Sequence, residues 1–106
     1  MIGRVADLPL ACSLNGAELS RRLADIGATG STYLLAAEID GRHAALSFKP
    51  GARERVAAIV AAEAECCPFF DMTLEDQPEG LRLAIEAPPG AEPLLADLVG
   101  AFSAAA

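Results

Sequence analysis

Apolar residues recur at helical spacing in three stretches of this chain and alternate in the stretches between, and that rhythm lays out the elements. Leu19, Leu23 and Ile26 fall three and four positions apart, as one face of an α-helix requires. Asn15 ahead of them reads as an N-cap, with Glu18 three residues later completing an approximate capping box. Gly27 and Gly30 predict the end of that helix and a loop to Ser31. Upstream, Leu10-Ala11-Cys12-Ser13-Leu14 alternates weakly and fits a short strand or an extended entry to the helix, while residues 1–9 form a loosely ordered lead-in ending at Pro9.

Two strand pairs follow the same logic. Tyr33 to Ile39 and His43 to Phe48 alternate on either side of Asp40-Gly41, a dipeptide that supplies the positive φ of a tight hairpin. Pro50-Gly51 closes that unit, and an alanine-rich helix runs from about Ala52 to at least Cys66. A second hairpin joins Met72–Leu74 to Leu81–Ala87 through a turn at Pro78-Glu79-Gly80. Pro88-Pro89-Gly90 then breaks the chain before a last helix, Glu92 to about Phe102, with Leu94, Leu95, Leu98 and Phe102 inward. The order helix, hairpin, helix, hairpin, helix predicts an α+β fold: one antiparallel four-stranded sheet with helices packed on one face. No linker divides the chain, so 106 residues make a single domain, enough to enclose a core without staples.

Composition sharpens this only in part. The apolar share is 53%, dominated by alanine and leucine, so folding rests on aliphatic packing. Phe48, Phe69 and Phe70 sit at element ends where they could wall a pocket. Net charge is −7, from 15 acidic against 8 basic residues, which repels a nucleic-acid backbone unless cations cluster. The clusters on offer, Arg21-Arg22 and Arg53/Arg55, lie on helix faces expected to be solvated. We therefore expect no nucleic-acid partner and no nucleotide cofactor. No apolar run approaches a membrane span, and no basic stretch leads into an apolar run at the start, so the expectation is a cytoplasmic protein with no membrane contact. Three cysteines cannot all pair within one chain, and a reducing compartment would keep them as thiols.

Two of those cysteines are neighbours, in Glu65-Cys66-Cys67-Pro68-Phe69-Phe70. Consecutive Cα atoms lie about 3.8 Å apart, short of the roughly 4.4–6.8 Å a disulfide prefers, so the two do not readily close on each other. Side by side, they bring two soft sulfur donors to one place. On a helical wheel at about 100° per residue, Val56, Val60 and Cys67 share a stripe, Ile59, Glu63 and Phe70 lie beside it, Cys66 is at its margin, and Glu65 is opposite. One cysteine is thus expected inward and the other towards an edge. Glu63, aligned with the apolar side, is a proton carrier or ligand, or else a salt-bridged side chain at the helix edge. Pro68 leaves two local geometries open: the helix ends at Cys66 or Cys67, or a new turn starts at Pro68 and presents its amide end to Cys67.

Cys12 is the third thiol, and three thiolates suit trivalent arsenic or antimony, divalent mercury or lead, and cuprous copper. A structural zinc site would need a fourth ligand. His43 is the only histidine, and its place beside the Asp40-Gly41 turn predicts a solvated side chain. Paired CxxC, a phosphate-cradling glycine loop, HExxH and GxSxG are all missing.

The combination of Ala11-Cys12-Ser13-Leu14 before an acid- and arginine-containing helix, the central Glu65-Cys66-Cys67-Pro68-Phe69-Phe70, and Ala87-Pro88-Pro89-Gly90-Ala91-Glu92 before the last helix resembles a group of small, poorly characterised bacterial proteins with an ECCPF-type signature. Similar segments are attached to mercury-sensing regulators of the MerR type. The resemblance spans roughly residues 10–100. It implies a heavy-metal or thiol-stress setting and Cys12, Cys66 and Cys67 as the functional positions.

Three functional expectations follow. The leading one is a soft-metal or metalloid binding protein with Cys66, Cys67 and Cys12 as ligands, Glu63 or Glu65 as proton acceptor or supporting group, and Phe69 and Phe70 walling the site. The second is a thiol-dependent reductase or transferase in which Cys12 resolves. The third is a ligand-sensing or dimerisation module without thiol chemistry, in which a homodimer forms through a sheet face or edge.

Overall fold

A computed structural model describes residues 16–103, with side chains from Ser20 onward and that of Cys66 excepted. The lead-in at residues 1–9, the candidate strand at Leu10–Leu14, the Asn15 cap and Cys12 lie outside the described residues. The chain runs helix, two strands, helix, two strands, helix: α1 (Gly16–Tyr33), β1 (Leu34–Asp40), β2 (His43–Phe48), α2 (Arg53–Cys66), β3 (Asp71–Gln77), β4 (Gly80–Glu86) and α3 (Glu92–Ser103). This is an α+β fold with one antiparallel four-stranded sheet in the order β1-β2-β4-β3, the two strand pairs joining along β2 and β4. Among the described residues no helix is long and apolar enough to cross a membrane.

The first strand pair turns through Gly41 and Arg42, with Asp40 opposite His43. Gly41 carries a φ of +63°, the left-handed value that the first central position of a II′ turn demands and that glycine adopts without a Cβ clash. The second turns through Pro78-Glu79, with Gln77 opposite Gly80. β3 is therefore longer than the Met72–Leu74 segment that apolar alternation marks out. Its extension, Glu75-Asp76-Gln77, is exposed and polar, as an edge strand tolerates.

The strand period of two sorts the central strands cleanly. Ala44, Leu46 and Phe48 of β2 and Leu81, Leu83 and Ile85 of β4 are buried on one face, while Ala45, Ser47, Arg82 and Ala84 on the other stay half-exposed. The buried face meets Ala52, Val56 and Ile59 from α2 and Ala91, Leu95, Leu98 and Phe102 from α3 in one hydrophobic core. Each fully buried large apolar side chain there contributes about 1.5–3 kcal/mol. Phe48 and Phe102 pack edge to face, with ring centroids 5.5 Å apart.

α1 departs from the sequence expectation. It does not stop at Gly27 and Gly30 but continues to Tyr33, directly into β1. The reason is tertiary: α1 packs chiefly against α3, and a Cβ on Gly30 would collide with the Phe102 carbonyl oxygen and come within 2.7 Å of its carbon. The glycine is a close-approach residue rather than a stop signal. Leu23, expected inward, is 46% exposed, whereas Ile26 is buried.

Candidate functional site

The candidate site is the carboxyl end of α2. Ala52, Val56, Ile59, Glu63 and Cys67 recur every three or four residues, and all five are buried, so the stripe that seats α2 on the core carries an acid and a thiol into the interior. α2 ends at Cys66. Cys67 leaves helical geometry (φ −130°, ψ 71°), although its amide still donates to the Glu63 carbonyl at 2.6 Å. Pro68 follows in a turn that the Phe70 amide closes onto the Cys67 carbonyl at 3.3 Å. Of the two geometries that Pro68 allows, the structure has helix termination, so Cys67 sits at the carbonyl end of the helix, where the helix dipole opposes a thiolate.

Cys67 is 8% exposed, the inward cysteine that the wheel predicts. Burial pushes its thiol above the ordinary range, the negative Glu63 pushes in the same direction, and Arg22 pulls back. The side chain of Cys66 lies outside the description.

Glu63 is 6% exposed and accepts a hydrogen bond from Arg22 Nη1 at 2.6 Å. Of the two sequence readings of Glu63, the salt-bridged side chain is the one observed, although it lies on the buried stripe rather than at the helix edge. The partner is what the sequence expectation misplaced. Arg22, expected to be solvated beside Arg21, has a side chain only 19% exposed and reaches from α1 to α2 across 41 residues of sequence. The signal that could have found it was the Arg22, Ile26, Thr29, Tyr33 spacing, which puts Arg22 on the same face as buried positions. A buried carboxylate is costly unless it is paired and hydrogen-bonded, and Arg22 supplies both.

The other predicted positions divide. Phe70 is buried and Phe69 half-buried, their rings 4.8 Å apart and tilted by 57° beside Cys67 in the chain. Phe48, grouped with them as a possible wall, belongs instead to the core against Phe102. Glu65 is exposed. His43 is exposed and 3.6 Å from Glu86 Oε2. It lies on the rim of an open hollow of about 300 Å³ on the sheet face opposite the core, with Asp40, Asp71 and Glu86 around it and Ala45 and Ala84 among its lining residues. Neither Cys67 nor Glu63 lines that hollow. Among the described residues no three His, Cys, Asp or Glu side chains are grouped so as to hold a metal ion. A thiol site at the end of α2 would therefore draw on Cys66 and Cys12, whose sulfurs lie outside the description.

The chain matches no protein-family model, and no curated protein or solved structure matches it.

Proposed function

We propose that this chain captures a soft metal or metalloid ion through the vicinal pair Cys66–Cys67, with Cys12 as a third donor, in a reducing compartment. The observation that carries the reading is the placement of Cys67: a thiol 8% exposed, next along the chain to a second cysteine and one helical turn beyond a buried, ion-paired carboxylate. Sulfur donors with little water access favour soft ions over hard ones. Each thiol that binds forms one sulfur–ion bond and loses one proton to solvent, so the raised Cys67 thiol makes capture more favourable as pH rises.

The same geometry weighs against a nucleophilic role for Cys67. An attacking cysteine needs thiolate character, which a positive environment or a helix amino terminus provides. Cys67 has burial, a neighbouring carboxylate and a helix carboxyl end instead, with only Arg22 in its favour.

The test is native mass spectrometry of the reduced protein with mercuric, arsenite, cuprous and zinc ions in turn, beside a Cys66→Ser/Cys67→Ser variant. The proposal expects a one-to-one adduct with a soft ion that disappears in the variant. Binding that survives loss of both cysteines overturns it.

A further inference from the structure

We propose that the amino-terminal half of α1 is a strap latched by Arg22 on Glu63, and that its release opens the buried Cys67 thiol to solutes. The use of such a gate to the protein rests on the soft-ion reading above, but its action on Cys67 is the same whichever ion or reagent arrives.

α1 is anchored unevenly along its length. From Ile26 onward it is held inside: Ile26, Gly27, Thr29 and Gly30 are buried, and Gly30 lies so close to the Phe102 backbone that no Cβ fits there. Ahead of Ile26, Ser20, Arg21, Leu23, Ala24 and Asp25 are exposed. Among these described residues Arg22 is the one turned inward, with a side chain 19% exposed. Its Nη1 donates to Glu63 Oε2 at 2.6 Å. Glu63 stands one helical turn before Cys67, whose amide donates to the Glu63 carbonyl. The latch therefore lies within a turn of the thiol. Burial and Glu63 raise that thiol, and Arg22 is near enough to pull it back.

Helix ends with little buried apolar surface open first, well before the whole molecule unfolds. The described part of α1 ahead of Ile26 fits that description, since its one large apolar side chain, Leu23, is 46% exposed. Gly27 marks the boundary with the anchored half, and a glycine in a helix interior is a weak point. Without the Arg22 cation, the Glu63 carboxylate is better off hydrated than buried. Loss of the latch thus frees the exposed half and admits water to the end of α2, where Cys67 is otherwise 8% exposed.

The experiment uses the Cys12→Ser/Cys66→Ser protein, in which Cys67 is the one thiol left of three. The rate of its reaction with 5,5′-dithiobis(2-nitrobenzoate) is followed at fixed pH from zero to moderate urea. Added to that background are Arg22→Met, Arg22→Gln, Arg22→Lys and, as a core truncation elsewhere, Leu83→Ala. Arg22→Met and Arg22→Gln should react at least about tenfold faster than the background, with a shallow dependence on urea. Arg22→Lys keeps the cation and should stay near the background rate. Leu83→Ala should speed up only along the steep urea slope of global unfolding. Removing the Arg22 charge by itself disfavours the thiolate, so acceleration has to come from access rather than electrostatics. Hydrogen exchange should show residues 20–25 losing protection in the Arg22→Met chain while residues 26–33 keep theirs. An unchanged rate in a folded Arg22 variant overturns the gate, as does acceleration that follows the global unfolding slope or loss of protection along all of α1. Those results leave the soft-ion reading standing, whereas a wild-type chain that takes up no soft ion overturns that reading and not the gate.

Discussion

Replacing Arg22 with methionine removes the cation that compensates Glu63 while keeping much of the volume that the arginine stem fills. The carboxylate left behind is 8% exposed at its side chain and loses a 2.6 Å charge-assisted hydrogen bond. Breaking a buried pair by deleting one partner costs about 3–5 kcal/mol. The lower end applies here, because the Arg22 side chain keeps 19% exposure and water can reach the gap. We therefore expect a loss of about 3 kcal/mol, seen as a fall of about 1–2 M in the urea midpoint. Glu63→Leu should cost only about 1 kcal/mol, since a freed Arg22 can extend to solvent along its flexible stem. The double variant Arg22→Met/Glu63→Leu should lie near the Glu63→Leu single, because an apolar pair substitutes well for a buried ion pair. The double-mutant cycle then yields a coupling of about 2–3 kcal/mol, of the size expected for groups in direct contact. Urea unfolding by circular dichroism of all four proteins measures it. Additive effects, with coupling under about 0.5 kcal/mol, would refute the view that this pair is the electrostatic tie between α1 and α2.

Further outcomes follow from single contacts. Gly30→Ala should destabilise by about 1–3 kcal/mol, since the new methyl meets the Phe102 backbone rather than a movable side chain. Gly100→Ala, the same change in α3 with nothing within 4 Å, should stabilise by about 0.5–1 kcal/mol; equal signs in thermal unfolding would contradict the α1–α3 packing. The Cys67 thiol is raised in the folded state, so its contribution to stability is complete below the unfolded thiol range, near pH 8.5, and fades as pH climbs through the folded value. As pH rises above about 8.5, stability should fall more steeply in the wild type than in Cys67→Ala, and parallel pH curves would contradict a buried thiol.

How much of this the chain declares locally can be traced residue by residue. Asp40-Gly41 between alternating runs fixes the first hairpin, because the required φ is a property of the glycine itself. The spacing of Val56, Ile59, Glu63 and Cys67 is enough to seat α2 and to turn Cys67 inward. Gly30 misleads, because its role depends on a backbone carbonyl of α3 more than seventy positions away, and local propensity has no access to it. Arg22 misleads for a related reason: beside Arg21 it resembles a solvated cluster, and only its partner across α1 and α2 makes it interior. β3 reads short because its polar half lies at a sheet edge, where the alternation that identifies buried strands fades. The thiol pair is visible as a motif, whereas the charge environment around it is a product of the fold.

The most direct test of the central claim is retention of a soft ion against a competing monothiol. One equivalent of mercuric ion is added to the reduced protein, excess glutathione follows, and the ion remaining on the protein after desalting is counted. A site built on Cys66 and Cys67 predicts one ion retained per chain in the wild type and none in Cys66→Ser/Cys67→Ser. Equal retention in the two proteins, or complete loss from both, would contradict the account.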